Sequence, residues 1–245
     1  TEIIAKDYAI SRHDQDTLET ESHAKASRAY DEGFYKDLVV PFEGVEKDNI
    51  IRHDSTIQKL ASLKTVFDKG VNATLTPGNS TSLTDGSAAV LLASDEWANK
   101  NNLDIESYIT SFEIAAVNYI DNEGLLMAPA YAVSEMLKKQ NLNLQDFDFY
   151  EIHEAFAAQT LATINAWKSE EFCKSKLGRE KVMGSFDHNK LNVKGGSLAI
   201  GHPFAATGAR IVATLSKLLK DNGGGKGLIS ICTAGGMGIT AILER

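Results

Sequence analysis

The chain reads Asn-Val-Lys-Gly-Gly-Ser-Leu-Ala-Ile-Gly-His-Pro from residue 192 to residue 203, and Cys-Thr-Ala-Gly-Gly-Met-Gly from residue 232 to residue 238. Each stretch places a reactive side chain, His202 or Cys232, inside a glycine-dense turn beside an apolar run. Glycine lets backbone N–H groups approach a ligand closely and permits positive φ angles. Imidazole suits proton transfer near neutral pH, and a thiol suits thioester chemistry. The two turns therefore predict a reactive site at the open end of a sheet.

Helices and strands are predicted to alternate along the chain. A long helix is expected from Arg12 to Glu32, because Ser11 is a suitable N-cap and Gly33 suits the left-handed residue after a helix. Periodicity and turn residues predict further helices over 95–101, 129–140, 155–167 and 206–219, and strands over 38–42, 87–93, 108–117, 147–152, 227–231 and 239–243. The pattern indicates an α/β fold whose sheet is largely covered by helices.

Composition narrows the classes of function. The 245 residues are 43% hydrophobic and 24% charged, as in ordinary globular proteins, and no apolar run reaches transmembrane length. The net charge of −8 argues against nucleic acid as the main partner. Two cysteines, Cys173 and Cys232, favour a reducing compartment over a disulfide framework. No His, Cys, Asp and Glu grouping has zinc-like spacing, and no Gly-x-Gly-x-x-Gly follows the first strand, so neither a metal nor a dinucleotide is predicted.

A third motif, His-Glu-Ala-Phe-Ala, lies at residues 153–157. Together with the two glycine-rich turns it resembles the thiolase family, and most closely the type found as β-subunits of fatty-acid trifunctional complexes. The resemblance runs along nearly the whole chain but matches only the later part of a thiolase. It implies a loop domain facing coenzyme A over 1–84, the last strand of the N-terminal half with a linking helix over 85–101, and the C-terminal half of a layered α/β/α/β/α body over 102–245.

The resemblance also implies roles for individual residues. His202 matches the base that activates a nucleophilic cysteine, and Cys232 matches the acid/base at the α-carbon of the acetyl unit. His153 stands where many thiolases have an asparagine at the oxyanion site, a substitution that favours degradative members. Arg52 is expected at the coenzyme A nucleotide and Thr81 beside its pantetheine arm. A solvated basic surface remains the alternative for Arg52.

By the same resemblance, the parent protein would be a 3-ketoacyl-CoA thiolase, or acetyl-CoA acyltransferase, of fatty-acid β-oxidation. Coenzyme A and acyl-CoA would be substrates, with no tightly bound cofactor. Neither cysteine matches the family's nucleophile, so activity is expected only with an N-terminal half from the same or a separate chain, and this chain alone is expected to be inactive. The alternatives are a biosynthetic acetoacetyl-CoA thiolase, a split-enzyme subunit and a non-catalytic acyl-CoA-binding module. A homo-oligomeric parent in the cytoplasm, or in the mitochondrial matrix of a eukaryote, is expected.

Overall fold

The computed structural model describes residues 1–121 and 123–245. Helices α1 to α9 span Glu2–Asp7, Arg12–Asp31, Ile57–Ala61, Asp95–Lys100, Ala128–Gln140, Ala157–Lys168, Glu170–Ser175, Ser197–Ile200 and Thr207–Asp221. Strands β1 to β4 span Tyr108–Ala116, Phe149–Ile152, Lys226–Thr233 and Met237–Glu244. The α/β class predicted from the sequence is confirmed. Within the described residues, no helix combines the length and the apolar character that crossing a membrane would need.

The four strands form one sheet in the order β1-β4-β3-β2. Strand β4 pairs antiparallel with both β1 and β3, whereas β2 and β3 are parallel. The tight turn between β3 and β4 contains Gly235 and Gly236, which both have positive φ angles. Because parallel strands end at the same edge of a sheet, the carboxyl ends of β2 and β3 lie together. His153, which follows β2, and Cys232, near the end of β3, are therefore brought to one edge.

Helices cover both faces of this sheet. Leu228 on β3 packs in one apolar cluster with residues of α5 and α6, whereas the next residue, Ile229, packs in a second cluster with residues of α9. This alternation arises because successive side chains of a strand point to opposite faces. Trp167 of α6 is fully buried in the first cluster, and its indole N–H donates to the carbonyl of Ala130 at 3.2 Å. The covered sheet gives the functional edge a rigid base.

Helix α2 begins and ends where the sequence predicts. The Ser11 hydroxyl accepts a hydrogen bond from the backbone N–H of Asp14 at 3.0 Å, which satisfies one free donor of the first turn. At the other end Gly33 has a φ of 77°, a conformation that glycine adopts without a Cβ penalty. The helix packs against α8, the short helix that precedes His202. Local capping thus fixes an element that supports the glycine-rich turn.

Two predicted strands are wrong. Over 38–42 the only pairing is an isolated bridge between Phe42 and Val45. Residues 87–93 are not in a strand, and the side chain of Leu91 is 74% exposed. An apolar run becomes a strand only where another strand is available to pair with it, and none lies beside residues 87–93 in the described parts of the chain. The linking helix predicted after this segment is present as α4.

A buried carboxyl group joins three separate parts of the chain. The carboxyl of Glu154 accepts hydrogen bonds from the Ser22 hydroxyl at 2.7 Å, the Asn192 side-chain amide at 2.6 Å and the backbone N–H of Leu198 at 3.2 Å. The Ser22 hydroxyl also accepts from the backbone N–H of Gly196 at 2.9 Å. Helix α2, the residue 192–196 turn and α8 are therefore held against the end of β2. A side chain at position 196 would have no room in this arrangement.

Gly196→Ala is expected to lower the free energy of unfolding by about 3 kcal/mol. The added Cβ would lie 2.3 Å from the carboxyl carbon of Glu154, which cannot move without losing its hydrogen bonds. Gly208→Ala is the matched control, because its Cβ would meet nothing closer than Ile231 Cδ1 at 4.0 Å and alanine is favoured over glycine within α9. Urea unfolding of both variants checks the prediction, and equal stabilities would contradict it.

Candidate active site

One cavity of about 1070 Å³ collects the three candidate catalytic side chains. His153 reaches it from the end of β2, Cys232 from β3, and His202 from the loop between α8 and α9. The rest of the wall is largely apolar, and includes Leu75, Leu83, Leu125, Leu126, Phe156 and Phe204. The three candidate side chains therefore face one space, although the first and the last of them are 79 positions apart in the chain (153 to 232). An apolar wall with few polar groups is typical of a site for a small organic ligand.

His202 is a half-buried imidazole that lies beside a second one, with the two ring planes at 52° to each other. Its Nδ1 lies 2.6 Å from the hydroxyl oxygen of Thr207, and its ring centroid lies 4.2 Å from that of His153. Burial, and after it the positive charge of Arg210, holds the pKa of His202 below its usual range. The ring is therefore neutral at pH 7 and can accept a proton.

His153 is buried more deeply, with only 1% of its surface exposed. Its backbone N–H donates to the carbonyl of Ser230 at 2.9 Å, and its Nδ1 lies 2.8 Å from the hydroxyl oxygen of Ser197. Nε2 has no hydrogen-bond partner among the described residues. Burial holds the pKa of His153 well below the usual value, with smaller contributions from His202 and Arg210. The second imidazole is therefore also neutral at pH 7.

Cys232 is a buried thiol. Its Sγ donates to the side-chain oxygen of Gln159 at 3.4 Å, and burial raises its pKa to about 12. At neutral pH the group therefore keeps its proton and can serve as an acid. The other cysteine, Cys173, is buried in a different region, where its Sγ donates to the carbonyl of Trp167 at 3.4 Å. Cys173 does not line the cavity.

The two residues predicted to contact coenzyme A lie in adjacent spaces. Thr81 lines the large cavity, and its hydroxyl donates to the carbonyl of Ser197 at 2.6 Å. Arg52 has an exposed side chain and lines a smaller pocket of about 280 Å³, while its backbone N–H donates to Nδ1 of His23 at 3.0 Å. Ser80 lines both spaces. The structure therefore separates Arg52 from the histidines but leaves the two regions in contact.

Sequence reasoning missed several polar residues behind the cavity. The Arg210 guanidinium donates to the Ser197 hydroxyl at 2.7 Å, and Ser197 in turn contacts His153. Glu151, on β2, is buried, and one of its carboxyl oxygens has no partner among the residues described. Burial raises the pKa of Glu151 to about 8, against an opposing effect of the Arg210 charge. Ser197 lies inside the glycine-rich stretch of residues 192–203, so the sequence could have directed attention to it. Its contact with Arg210 could not have been predicted from that stretch.

Comparisons with known proteins agree on one family. Two family models match, "Thiolase, C-terminal domain" over residues 103–245 and "Thiolase, N-terminal domain" over residues 1–96. A 3-ketoacyl-CoA thiolase of Shewanella loihica is 43% identical across 99% of this chain, and the match covers 56% of that protein. This chain therefore spans little more than half the length of such relatives.

Solved structures give the same picture of the fold. The Bacillus anthracis acetyl-CoA acetyltransferase superposes with a TM-score of 0.82 and 34% identity, covering 99% of this chain and 58% of that one. The human mitochondrial 3-ketoacyl-CoA thiolase in complex with CoA superposes with a TM-score of 0.82 and 31% identity, covering 100% of this chain and 57% of that one. The predicted thiolase-like fold is confirmed by these similarities.

Glu151→Gln is expected to flatten the dependence of stability on pH between pH 7 and pH 8. Glu151 has a folded-state pKa of about 8, above its ordinary value of 4.5. In this window the unfolded chain has released the proton that the folded chain still holds, so the free energy of unfolding falls as pH rises. The slope is at most about 1.4 kcal/mol per pH unit. The histidines contribute little here, because their lowered pKa values act below pH 6.5.

Urea unfolding at several pH values measures this slope. Glu135→Gln is the control, because that carboxyl is exposed on α5 and should leave the slope unchanged. Burial lowers the pKa of the Thr1 amino group, which opposes this slope equally in the wild-type protein and the variant. The difference between the two slopes is therefore the test, and equal slopes in the wild-type protein and Glu151→Gln would contradict the raised pKa of Glu151.

Proposed function

Because the chain belongs to the thiolase family, we propose that it carries the proton-transfer part of a 3-ketoacyl-CoA thiolase site. The parent reaction cleaves 3-ketoacyl-CoA with coenzyme A and yields acyl-CoA and acetyl-CoA. The observation that carries the proposal is the shared cavity of two neutral imidazoles and one protonated thiol, those of His153, His202 and Cys232. Cleaving a carbon–carbon bond beside a carbonyl requires a base, an oxyanion donor and an acid, and these three groups supply them.

Each group has a defined task in this reaction. His202 accepts the proton of a nucleophilic thiol, and the resulting thiolate attacks the keto carbon of the substrate. As the bond between the keto carbon and the α-carbon breaks, its electron pair passes to the α-carbon of the departing acetyl-CoA, which Cys232 protonates. His153 and His202 stabilise the oxygens that gain negative charge. The Cys232 thiolate then takes the proton of the coenzyme A thiol, whose sulfur attacks the acyl group, and the nucleophile leaves as a thiolate that recovers its proton from His202.

The nucleophilic thiol must come from outside the residues described above. Cys173 is buried away from the cavity and Cys232 serves as the acid, so neither fits the role. We place the nucleophile in an N-terminal thiolase half, on the same or a separate polypeptide. In this arrangement residues 1–84 form the coenzyme A-facing loop domain, 85–101 link the halves, and 102–245 form the C-terminal half. The exposed apolar side chains of segment 87–93 would then be covered by that N-terminal half.

Coenzyme A is proposed to run from the smaller pocket into the cavity. Arg52 would face its nucleotide, where a guanidinium can pair with phosphate or stack on adenine. The pantetheine arm would pass Ser80 and Thr81, since Ser80 lines both spaces. The thiol end would then reach the histidines. A related human thiolase structure contains CoA, which supports the choice of ligand.

Cys232→Ser is expected to lower kcat for thiolysis by about 10²–10⁴-fold, the usual contribution of a general acid or base. The assay combines this chain with the N-terminal half of a related thiolase and follows the cleavage of acetoacetyl-CoA. Binding of coenzyme A to the chain, measured by calorimetry, should change little, because the substitution alters a proton donor and leaves the arm contacts intact. Cys173→Ser is the matched control and should retain turnover.

Equal losses of turnover in the two cysteine variants would contradict an acid/base role for Cys232. Coenzyme A binding without turnover in any combination of halves would favour the alternative of a non-catalytic acyl-CoA-binding module. Turnover by the chain alone would contradict the need for an external nucleophile.

A further inference from the structure

A chain of buried hydrogen bonds stands behind His153. The Arg210 guanidinium, from α9, donates to the hydroxyl of Ser197 at 2.7 Å, and that hydroxyl oxygen lies 2.8 Å from Nδ1 of His153. Ser197 opens α8 and is 1% exposed, so water does not replace these partners. The three side chains come from three different elements and meet on the side of the imidazole opposite Nε2.

The donors and acceptors in this chain can be assigned. A guanidinium has donors and no acceptor, so the Ser197 oxygen must accept from Arg210. The hydroxyl proton then has one remaining partner within the described structure, Nδ1 of His153. If His153 donated instead, a serine proton would be buried without an acceptor, which is costly. Ser197 therefore donates, Nδ1 accepts, and the single proton of the neutral imidazole lies on Nε2.

The neighbouring imidazole, whose ring centroid lies 4.2 Å away, has no such single partner. The Thr207 hydroxyl lies 2.6 Å from Nδ1 of His202 and 3.3 Å from the carbonyl oxygen of Pro203, so its one proton has two acceptors within reach. The hydroxyl beside His153 has one acceptor, and it therefore selects a single tautomer.

We propose that Ser197, held by Arg210, is a positioning residue that fixes His153 as the Nε2–H tautomer, so that Nε2 donates to a carbonyl oxygen of a ligand in the cavity. The buried Nε2 has no partner in the described structure and His153 lines the cavity, which together call for an acceptor. The identity of that acceptor, a ketone or thioester oxygen of acyl-CoA, rests on the proposed function. The tautomer does not depend on it.

The tautomer can be measured on the intact chain. Long-range ¹H–¹⁵N spectra of the labelled protein report whether each imidazole nitrogen carries a proton, and His153→Gln assigns the signals. We expect a protonated Nε2 and an unprotonated Nδ1 for His153. Ser197→Ala should replace this single state by a mixture of tautomers, and Ser197→Thr should restore it. Ser134→Ala is the matched control, because Ser134 is also buried and also accepts from an arginine, but lies outside the cavity lining.

Turnover of the chain combined with an N-terminal half gives a second readout. Ser197→Ala should lower kcat roughly tenfold with little change in KM, less than the 10²–10³-fold typical of deleting an oxyanion donor outright, because the imidazole remains. A proton on Nδ1 of wild-type His153, or a single Nε2–H tautomer that persists in Ser197→Ala, would overturn the inference even if thiolysis occurs. Absence of thiolysis with the expected tautomer would instead count against the proposed function alone.

Discussion

The buried carboxyl of Glu154 is the interaction on which the rest of the structure depends. Burial raises its pKa, but all three of its partners are donors, and donors favour the ionised form that accepts from them. These donors belong to α2, to the turn at residue 192 and to α8. Since Glu154 directly follows His153, holding the carboxyl also fixes the backbone from which the imidazole projects. The requirement for glycine at position 196 follows from the same crowding.

The sheet supplies the second constraint. Parallel pairing of β2 with β3 brings residues from two distant segments to one edge, and helices on both faces keep that edge rigid. The same packing buries His153 and Cys232, and burial decides their protonation. Removal from water disfavours imidazolium and thiolate alike, so His153 and Cys232 both remain uncharged at neutral pH. The fold thus determines which groups of the site are protonated at neutral pH, as well as where they lie.

Much of this could be predicted from local sequence. The ends of α2 follow from Ser11 and Gly33, and the glycine-rich turns directed attention to His202 and Cys232, which line one cavity. The prediction failed where structure depends on distant partners. Residues 87–93 have the composition of a strand, yet a strand also needs a neighbour that no local pattern reveals. Arg210 was missed for the same reason, since its contact with Ser197 exists only once the fold brings α9 beside α8. Ser197 itself lies inside the glycine-rich stretch, but that stretch does not reveal its contact with His153.

A crystal structure of the chain with acetoacetyl-CoA would test most directly whether the cavity is a thiolase-type site. We expect a carbonyl oxygen of the ligand within hydrogen-bonding distance of Nε2 of His153, with the reacting carbons between His202 and Cys232. Ligand bound away from the cavity, or bound with its carbonyl oxygens turned away from His153, would contradict the account.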